Sequence, residues 1–370
     1  MIIGVPKEIK NHENRVGLVV GGVKTLVQQG HQVLVQKNAG HGCGILDEEY
    51  QQAGATIIND VKKIYDEADM IIKVKEPVEP EVNFLREGQI LFTFLHLAAV
   101  PELAQKLVEK KVSAVAYETI QTQDGALPLL KPMSEVAGKL ATQIGAYYLQ
   151  KDKNDKGKGL LLGGVPGVRR GKVMIIGGGV AGTNAAKIAI GMGADVTIVD
   201  RDVRRLEYLD DIFGTRIKTL MSNISNVEET VRNSDLVIGS VLITGAKSPK
   251  IVTKEMVMEM EAGSVMIDIS IDQGGCIETI HPTTHDNPTF EVSGVIHYGV
   301  TNIPAAVART STYALNNVTL PYAVKLANLG FEKAIQKDPS LYAGVNVHAG
   351  HVTYKTIADD LGLRYEKLSV

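Results

Sequence analysis

The sequence predicts an α/β protein built from two doubly wound domains with mainly parallel sheets. The 370-residue chain is too long for one ordinary hydrophobic core. Short apolar runs typical of buried strands alternate with helical patterns, which is the order of successive βαβ units. The alternation occurs in two series, and a glycine-rich turn follows the first strand of the second series.

The first series covers about the first 130 residues. Helical patterns at 23–29, 47–53 and 100–110 separate its strand candidates. These candidates are "MIIGVP", "HQVLVQ", "ATII", "DMIIKVK", "QILFTFL" and "VSAVAYE". The second series has the strand candidates "KVMIIG", "DVTIVD", "RIKTLM", "DLVIGSV", "SVMIDIS" and "GVIHYG".

Two long helical segments flank the second series. The first, "SEVAGKLATQIGAYYLQ", has Ser134 as its predicted N-cap, and the second begins near Pro304. The tail "HVTYKTIADDLGL" is too short to be a domain, so we expect it to pack on the first domain. The predicted domains are therefore 1–130 plus about 305–370, which is discontinuous, and 131–304.

Composition limits the function. The formal net charge of −3, without a long basic run, gives no case for nucleic acid binding. Two cysteines cannot form a disulfide framework and suit a reducing compartment, and their spacing does not match a zinc site. No signal peptide and no apolar run of spanning length is recognised. A soluble, cytoplasmic protein of enzyme size, without metal, is expected.

The glycine-rich turn "IIGGGVAG" matches the dinucleotide-binding pattern GxGxxG. Gly177 would permit the tight turn, Gly179 the approach of a pyrophosphate, and Gly182 close packing of helix on strand. Asp200 ends the next strand, 18 residues past Gly182, where an acid would accept hydrogen bonds from ribose hydroxyls. Asp202 is the second choice for that role. The alternative is a turn that serves packing only, but its strand–turn–helix–strand context favours a Rossmann-like dinucleotide site.

Polar residues at the carboxyl ends of other strands predict an active-site cleft between the two domains. Lys75 and His96 end strands of the first series, Asp272 ends a strand of the second, and Arg15 follows the first strand and its loop. Ligands of open α/β sheets bind at these ends. Two cations, a histidine and a carboxylate suit a small carboxylic acid with a reacting carbonyl or amine.

Each of these residues also has a structural alternative. Lys75 and its neighbour Lys73 could be solvated lysines on one strand face, and His96 a hydrogen-bonded core histidine. Asp272 could cap a turn, and Arg15 could form a surface ion pair. Their convergence on one cofactor cleft favours the functional interpretation.

Motifs along nearly the whole chain resemble those of bacterial L-alanine dehydrogenase, in the family that also contains transhydrogenase N-terminal domains. The matching segments are "GVPKEIKNHENRVGL", "KVKEP", "FLHLAA", "KPMSEVAGKLA", "LLGGVPGV", "DQGGCIET" and "STYALNNVTLPY". The resemblance implies NAD-dependent interconversion of L-alanine with pyruvate and ammonia, and a homohexamer. It implies that Arg15 and Lys75 bind substrate, and that His96 and Asp272 are catalytic.

The resemblance also implies a set of NAD contacts. These residues are Ser134, Gly177, Gly179, Val180, Ala181, Gly182, Asp200, Arg205, Ser222, Val241, Leu242, Ile269, Asp272 and Asn302. The alternatives are the soluble NAD-binding subunit of a proton-translocating transhydrogenase, a related amino-acid dehydrogenase such as a saccharopine-forming enzyme, and a catalytically silent NAD-binding module. The presence of both Lys75 and His96 argues against the first.

Overall fold

The computed structural model describes residues 1–241 and 248–369. The chain divides into two compact units, Met1–Met133 with Val307–Val370, and Ser134–Ala306. Each unit contains one sheet with helices around it. Within the described ranges, no helix is long and apolar enough to cross a membrane.

The strands and helices alternate along the chain. The strands are β1 (Ile2–Val5), β2 (Gln32–Gln36), β3 (Thr56–Ile58), β4 (Met70–Ile72), β5 (Ile90–Thr93), β6 (Ser113–Ala116), β7 (Lys172–Ile176), β8 (Asp195–Asp200), β9 (Ile217–Met221), β10 (Leu236–Gly239), β11 (Val265–Asp268), β12 (Thr289–Val292), β13 (Val295–Tyr298), β14 (Val345–His348) and β15 (His351–Val352). The α-helices are α1 (Val20–Gln28), α2 (Asp47–Gln52), α3 (Val61–Glu67), α4 (Glu81–Phe84), α5 (Pro101–Glu109), α6 (Lys131–Tyr148), α7 (Val180–Gly191), α8 (Val203–Phe213), α9 (Ile224–Arg232), α10 (Lys254–Met258), α11 (Ala308–Leu329), α12 (Phe331–Lys337), α13 (Pro339–Gly344) and α14 (Lys355–Leu361). Short 3₁₀ helices cover His41–Cys43, Leu97–Ala99, Tyr117–Thr119, Gly214–Arg216, Ile271–Gln273 and Ile303–Val307.

Both sheets have the same doubly wound strand order. In the first unit, six parallel strands run in the order β3-β2-β1-β4-β5-β6, and in the second β9-β8-β7-β10-β11-β13. The order reverses between β1 and β4, and between β7 and β10, and such switch points are where open α/β sheets bind ligands. The predicted fold class is confirmed.

The burial pattern explains why the central strands are almost entirely apolar. In β7, Val173 and Ile175 belong to one buried cluster, while Met174 and Ile176 belong to another. Because successive side chains of a strand point to opposite faces, both faces of this sheet are covered. All four residues of β5 are likewise buried in the first unit.

Two features differ from the sequence prediction. Helix α6 begins at Lys131, so Ser134 lies in its first turn and is not the N-cap. Pro132 stands at the second position of α6, where a missing N–H costs nothing, so the helix can start earlier than predicted. Three antiparallel strands, β12, β14 and β15, were not expected, and β14 and β15 extend the first sheet beyond β6.

Candidate active site

Lys75 and His96 lie close together in the first unit. Each follows a strand by three residues, Lys75 after β4 and His96 after β5, and these strands are parallel neighbours. Lys75 Nζ is 3.3 Å from His96 Nε2. A hydrogen bond from the Thr93 hydroxyl to the Lys75 carbonyl, 3.0 Å long, joins the two segments. Lys75 and His96 therefore lie together at the carboxyl ends of β4 and β5.

Arg15 is buried with only 2% of its surface exposed, so it is not a surface arginine. Glu13 accepts hydrogen bonds from its Nε and Nη2 at 2.7 and 2.5 Å, a two-pronged ion pair. Its Nη1 lies 3.2 Å from Met133 Sδ. The positive charge of Arg15 is close enough to lower the pKa of Lys75 and of His96.

The surroundings keep His96 neutral. Burial lowers the pKa of His96 well below its usual range, and the positive charges of Lys75, Lys10 and Arg15 lower it further. Burial, followed by Arg15, also lowers the pKa of Lys75. A neutral imidazole beside a cation can accept a proton from a reacting group, which is the role of a general base.

Lys73 has a different role from Lys75. The chain bends at Val74–Lys75, so the two lysines do not continue one strand face as the sequence suggested. Lys73 is fully buried, and its Nζ donates to Glu8 at 3.0 Å and to Glu81 at 2.7 Å. Burial alone would lower the pKa of Lys73, but the two carboxylates outweigh it and raise the pKa. Lys73 is a structural ion-pair residue.

Several carboxylates support this site and were missed in the sequence. Glu8 accepts from the Val74 N–H at 2.6 Å and so holds the segment that carries Lys75. Glu118 accepts from the His96 N–H, and Glu13 holds Arg15. Glu118 could have been found, because it stands at the carboxyl end of a predicted strand, "VSAVAYE". Glu8 and Glu13 carry no comparable signal.

In the second unit, the glycine turn connects β7 to α7 as predicted. Gly177 has φ +93°, which favours glycine. A Cβ on Gly182 would lie 1.9 Å from the Gly177 carbonyl oxygen, whereas a Cβ on Gly179 would meet nothing within 4 Å. Gly182 therefore closes the turn, and Gly179 leaves open space at the start of α7, where free N–H groups suit phosphate. Val180 and Ala181 form the first turn of α7.

Asp200 lies against this turn. Its carboxylate accepts from the Gly178 N–H at 2.6 Å and from the Asp202 N–H at 2.9 Å. Asp202 instead caps α8 by accepting from the Arg204 N–H. Arg205 donates to the Gly178 carbonyl and to the Thr183 hydroxyl, at 2.5 and 2.8 Å. Of the two acids, Asp200 therefore contacts the glycine turn, whereas Asp202 contacts α8.

The other predicted cofactor residues occupy different places in the second unit. Ser222 follows β9 and donates its N–H to the Asp200 carbonyl at 2.9 Å. Val241 follows β10, next to Ser240, whose carbonyl a Cβ on Gly177 would approach to 3.0 Å. Ile269 follows β11, Asn302 precedes the 3₁₀ helix Ile303–Val307, and Ser134 lies on α6. Leu242 falls outside the described residues.

Asp272 is exposed, on the 3₁₀ helix Ile271–Gln273 after β11. The buried Asp268 holds the surrounding turn, since it accepts N–H bonds from Ser270, Cys276 and Ile277 at 3.0, 2.7 and 3.1 Å. Burial raises the pKa of Asp268 against the effect of these bonds. Asp268, which no sequence motif indicated, therefore performs the turn-holding role considered for Asp272. Across the described ranges, no group of three or more His, Cys, Asp or Glu side chains is arranged to hold a metal ion.

The two doubly wound sheets and the glycine turn define an α/β protein with Rossmann-like domains that takes a nucleotide cofactor. Two family models match the chain, "Alanine dehydrogenase/PNT, N-terminal domain" over residues 4–137 and "Alanine dehydrogenase/PNT, C-terminal domain" over residues 141–355. The chain therefore belongs to the alanine dehydrogenase/PNT family, as the sequence motifs indicated.

Similar proteins match over their full length. The chain is 57% identical to an alanine dehydrogenase from Methanococcus maripaludis over 366 residues, which is 99% of this chain and 98% of that protein. It is 59% identical to an alanine dehydrogenase from Bacillus subtilis, over 99% of this chain and 96% of the relative. A solved L-alanine dehydrogenase superposes with a TM-score of 0.94 at 49% identity, covering 98% and 99% of the two chains. A transhydrogenase from Sinorhizobium meliloti superposes with a TM-score of 0.80 at 25% identity, over 96% and 99%.

Proposed function

We propose that this protein is an NAD-dependent L-alanine dehydrogenase, which oxidatively deaminates L-alanine to pyruvate and ammonia and catalyses the reverse reductive amination. The observation that carries the proposal is full-length identity of 57–59% to proteins named alanine dehydrogenase. The match to the transhydrogenase is at 25% identity, which favours that function less. Lys75 and Arg15 supply the positive charges that a small oxo acid requires, and the neutral imidazole of His96 lies beside Lys75.

In this proposal the first unit supplies the substrate groups. Arg15 and Lys75 bind the substrate carboxylate and carbonyl, and so orient the reacting carbon. Lys75 also polarises the carbonyl, because its ammonium group favours negative charge on the oxygen. His96, neutral and 3.3 Å from Lys75 Nζ, accepts and returns protons as water adds to the iminium and the carbinolamine collapses to pyruvate and ammonia. The carboxylate of Asp272 stabilises the positive charge of the iminium.

The second unit would hold NAD. The open space at Gly179 and the N-terminus of α7 fit a diphosphate, and Asp200 fits the ribose hydroxyls. The other proposed contacts are Ser134, Gly177, Val180, Ala181, Gly182, Arg205, Ser222, Val241, Leu242, Ile269, Asp272 and Asn302. Bound NAD would supply the hydride acceptor for oxidation of the alanine Cα, and NADH would supply the hydride donor for the reverse reaction.

Substrate assays test the proposal. NADH oxidation is measured with pyruvate plus ammonium, and compared with glyoxylate, 2-oxobutyrate, and 2-oxoglutarate plus lysine. We expect pyruvate to give the highest kcat/KM. Preference for 2-oxoglutarate plus lysine would indicate a related amino-acid dehydrogenase. Hydride exchange between nucleotides without any oxo acid would indicate the transhydrogenase alternative, and NADH binding without turnover would indicate a regulatory module.

We also propose a cytoplasmic homohexamer. The cytoplasm is supported by Cys43 and Cys276, which are free and buried, as suits a reducing compartment. The hexamer rests on the likeness to the family alone. Sedimentation equilibrium tests it, and a stable monomer at micromolar concentration would contradict it.

A further inference from the structure

The backbone of His96 has an unusual conformation. Its φ is +48° and its ψ is +37°, in the left-handed region, which a residue with a Cβ rarely adopts. The residue stands between β5 and the 3₁₀ helix Leu97–Ala99. Strained backbone of this kind persists only where the surrounding structure holds it.

Glu118 supplies contacts that hold this turn. It lies in the 3₁₀ helix Tyr117–Thr119, directly after β6, the parallel neighbour of β5. Its Oε1 accepts from the His96 N–H at 2.6 Å and from the Leu95 N–H at 3.1 Å, while Oε2 is 3.2 Å from the Leu95 nitrogen. One carboxylate therefore binds two successive amides at the point where the backbone turns.

The imidazole ring has its own contacts. The ring of Phe94 stacks on it, with centroids 5.6 Å apart and 5° between the planes. The edge of Tyr117 packs against Phe94, with centroids 5.1 Å apart. On the other side, Nε2 lies 3.3 Å from Lys75 Nζ. The direction of the ring thus depends on where the backbone turn places its Cβ.

We propose that Glu118 is a positioning residue, whose carboxylate holds the Leu95–His96 amides in the left-handed turn that directs the imidazole toward Lys75 and the substrate. The inference rests on the proposed function, in which His96 transfers protons. Glu118 acts on the backbone of His96 and takes no proton itself.

Glu118 could act on His96 through the position of its acceptor oxygen or through its negative charge. The groups that lower the pKa of His96, besides burial, are the cations Lys75, Lys10 and Arg15. Burial raises the pKa of Glu118 itself, against the bonds it accepts from Leu95 and His96. If the carboxylate acts by geometry, its charge should matter less than the location of its acceptor oxygen.

Two conservative variants test this directly. In Glu118→Gln, one amide oxygen can replace Oε1 and accept from both amides, but the charge is lost. Glu118→Asp keeps the charge and withdraws the acceptor by one methylene. For the positioning role we expect Glu118→Gln to keep kcat for pyruvate within about 10-fold of wild type and Glu118→Asp to lose about 10²-fold, the size of effect that a 1 Å misplacement can have. KM for NADH should be unchanged in both, and the exposed Glu109→Ala serves as control.

A second measurement reports on His96 without turnover. The rate at which diethyl pyrocarbonate modifies the peptide that carries His96, followed by mass spectrometry across pH, gives the titration midpoint of the imidazole. We expect the same midpoint in Glu118→Gln as in wild type. The positioning role would be overturned if Glu118→Gln lost more kcat than Glu118→Asp, or if the titration midpoint of His96 shifted in Glu118→Gln. A wild type inactive with pyruvate would instead overturn the proposed function.

Discussion

At the scale of single residues, two lysines two positions apart lie in different surroundings. Lys75 is partly buried beside His96, and Lys73 is fully buried between Glu8 and Glu81. Removing one member of a buried ion cluster leaves uncompensated charge, whereas removing a substrate contact leaves the fold intact. The two lysines should therefore respond differently to the same substitution.

We predict that Lys75→Met binds NADH normally but loses pyruvate turnover, and that Lys73→Met loses stability. A charge-assisted substrate contact contributes about 1.5–3 kcal/mol, and more if Lys75 also polarises the carbonyl. Breaking a buried ion pair costs about 3–5 kcal/mol in unfolding free energy. Steady-state kinetics and denaturant unfolding measure the two effects. Normal pyruvate kinetics in Lys75→Met would contradict the assignment.

The neutral state of His96 gives a prediction about pH. Burial and the charges of Lys75, Lys10 and Arg15 lower the pKa of His96. The ring therefore stays unprotonated until the pH falls below about 6.5, the usual pKa of histidine. Diethyl pyrocarbonate reacts with the neutral ring, so modification of wild-type His96 should remain fast below pH 6.5. Lys75→Met removes one positive charge and should raise the pKa of His96, so that on lowering the pH modification slows at a higher pH than in wild type. The peptide with the exposed His41 calibrates the reagent. A midpoint above 6.5 in wild type would contradict the lowered pKa of His96.

Asp200 and Asp202 give a matched pair for cofactor choice. Wild type should prefer NAD, since Asp200 would accept from the ribose hydroxyls and repel a 2′-phosphate. Asp200→Ala should lower kcat/KM for NAD more than for NADP. Asp202→Ala should leave that ratio unchanged and cost about 1 kcal/mol in stability, because Asp202 caps α8. Equal efficiency of wild type with both cofactors would refute the prediction.

At the scale of elements, two glycines of the turn between β7 and α7 meet different requirements, one for packing within the protein and the other for the approach of a ligand. A methyl group at Gly182 would collide with backbone, at 1.9 Å from the Gly177 oxygen, while one at Gly179 meets only open space. The same substitution at these two positions therefore tests two different properties.

We predict that Gly182→Ala lowers the melting temperature, while Gly179→Ala folds normally and binds NADH at least 10-fold more weakly. The loss of NADH affinity in Gly179→Ala would arise because the added methyl group obstructs the diphosphate and contacts no protein atom. Differential scanning fluorimetry and NADH fluorescence titration measure both. Unchanged NADH affinity in Gly179→Ala would mean that this glycine does not face the phosphates.

The strands show what the sequence could reveal. The central parallel strands, which are buried on both faces, form nearly continuous apolar runs, and all the parallel strands, β1 to β11 and β13, could be predicted from the sequence. β12, β14 and β15 could not, because short antiparallel edge strands lack such runs. At the site, the rule about carboxyl ends predicted that Lys75 and His96 line one cleft, and the structure places them 3.3 Å apart. It could not separate Lys73 from Lys75, because the bend at Val74–Lys75 and the pairing of Lys73 with Glu8 depend on tertiary contacts.

At the scale of the whole molecule, the two residues proposed to be catalytic belong to different compact units, His96 to the first and Asp272 to the second. Each unit has its own sheet and buried clusters, so a substitution at an exposed or partly buried site residue should leave both folded. Activity can then be compared among variants of equal structure.

We predict that His96→Ala and Asp272→Ala each lower kcat by about 10²–10⁴-fold, the range for a positioned acid–base group, while NADH binding persists. The double variant should be little worse than the poorer single variant, because groups that act in one step are not additive. Pyruvate reduction kinetics and NADH titration measure the three variants, with circular dichroism as the check on folding. If the losses of the single variants multiply in the double variant, then His96 and Asp272 contribute independently and do not act as one unit.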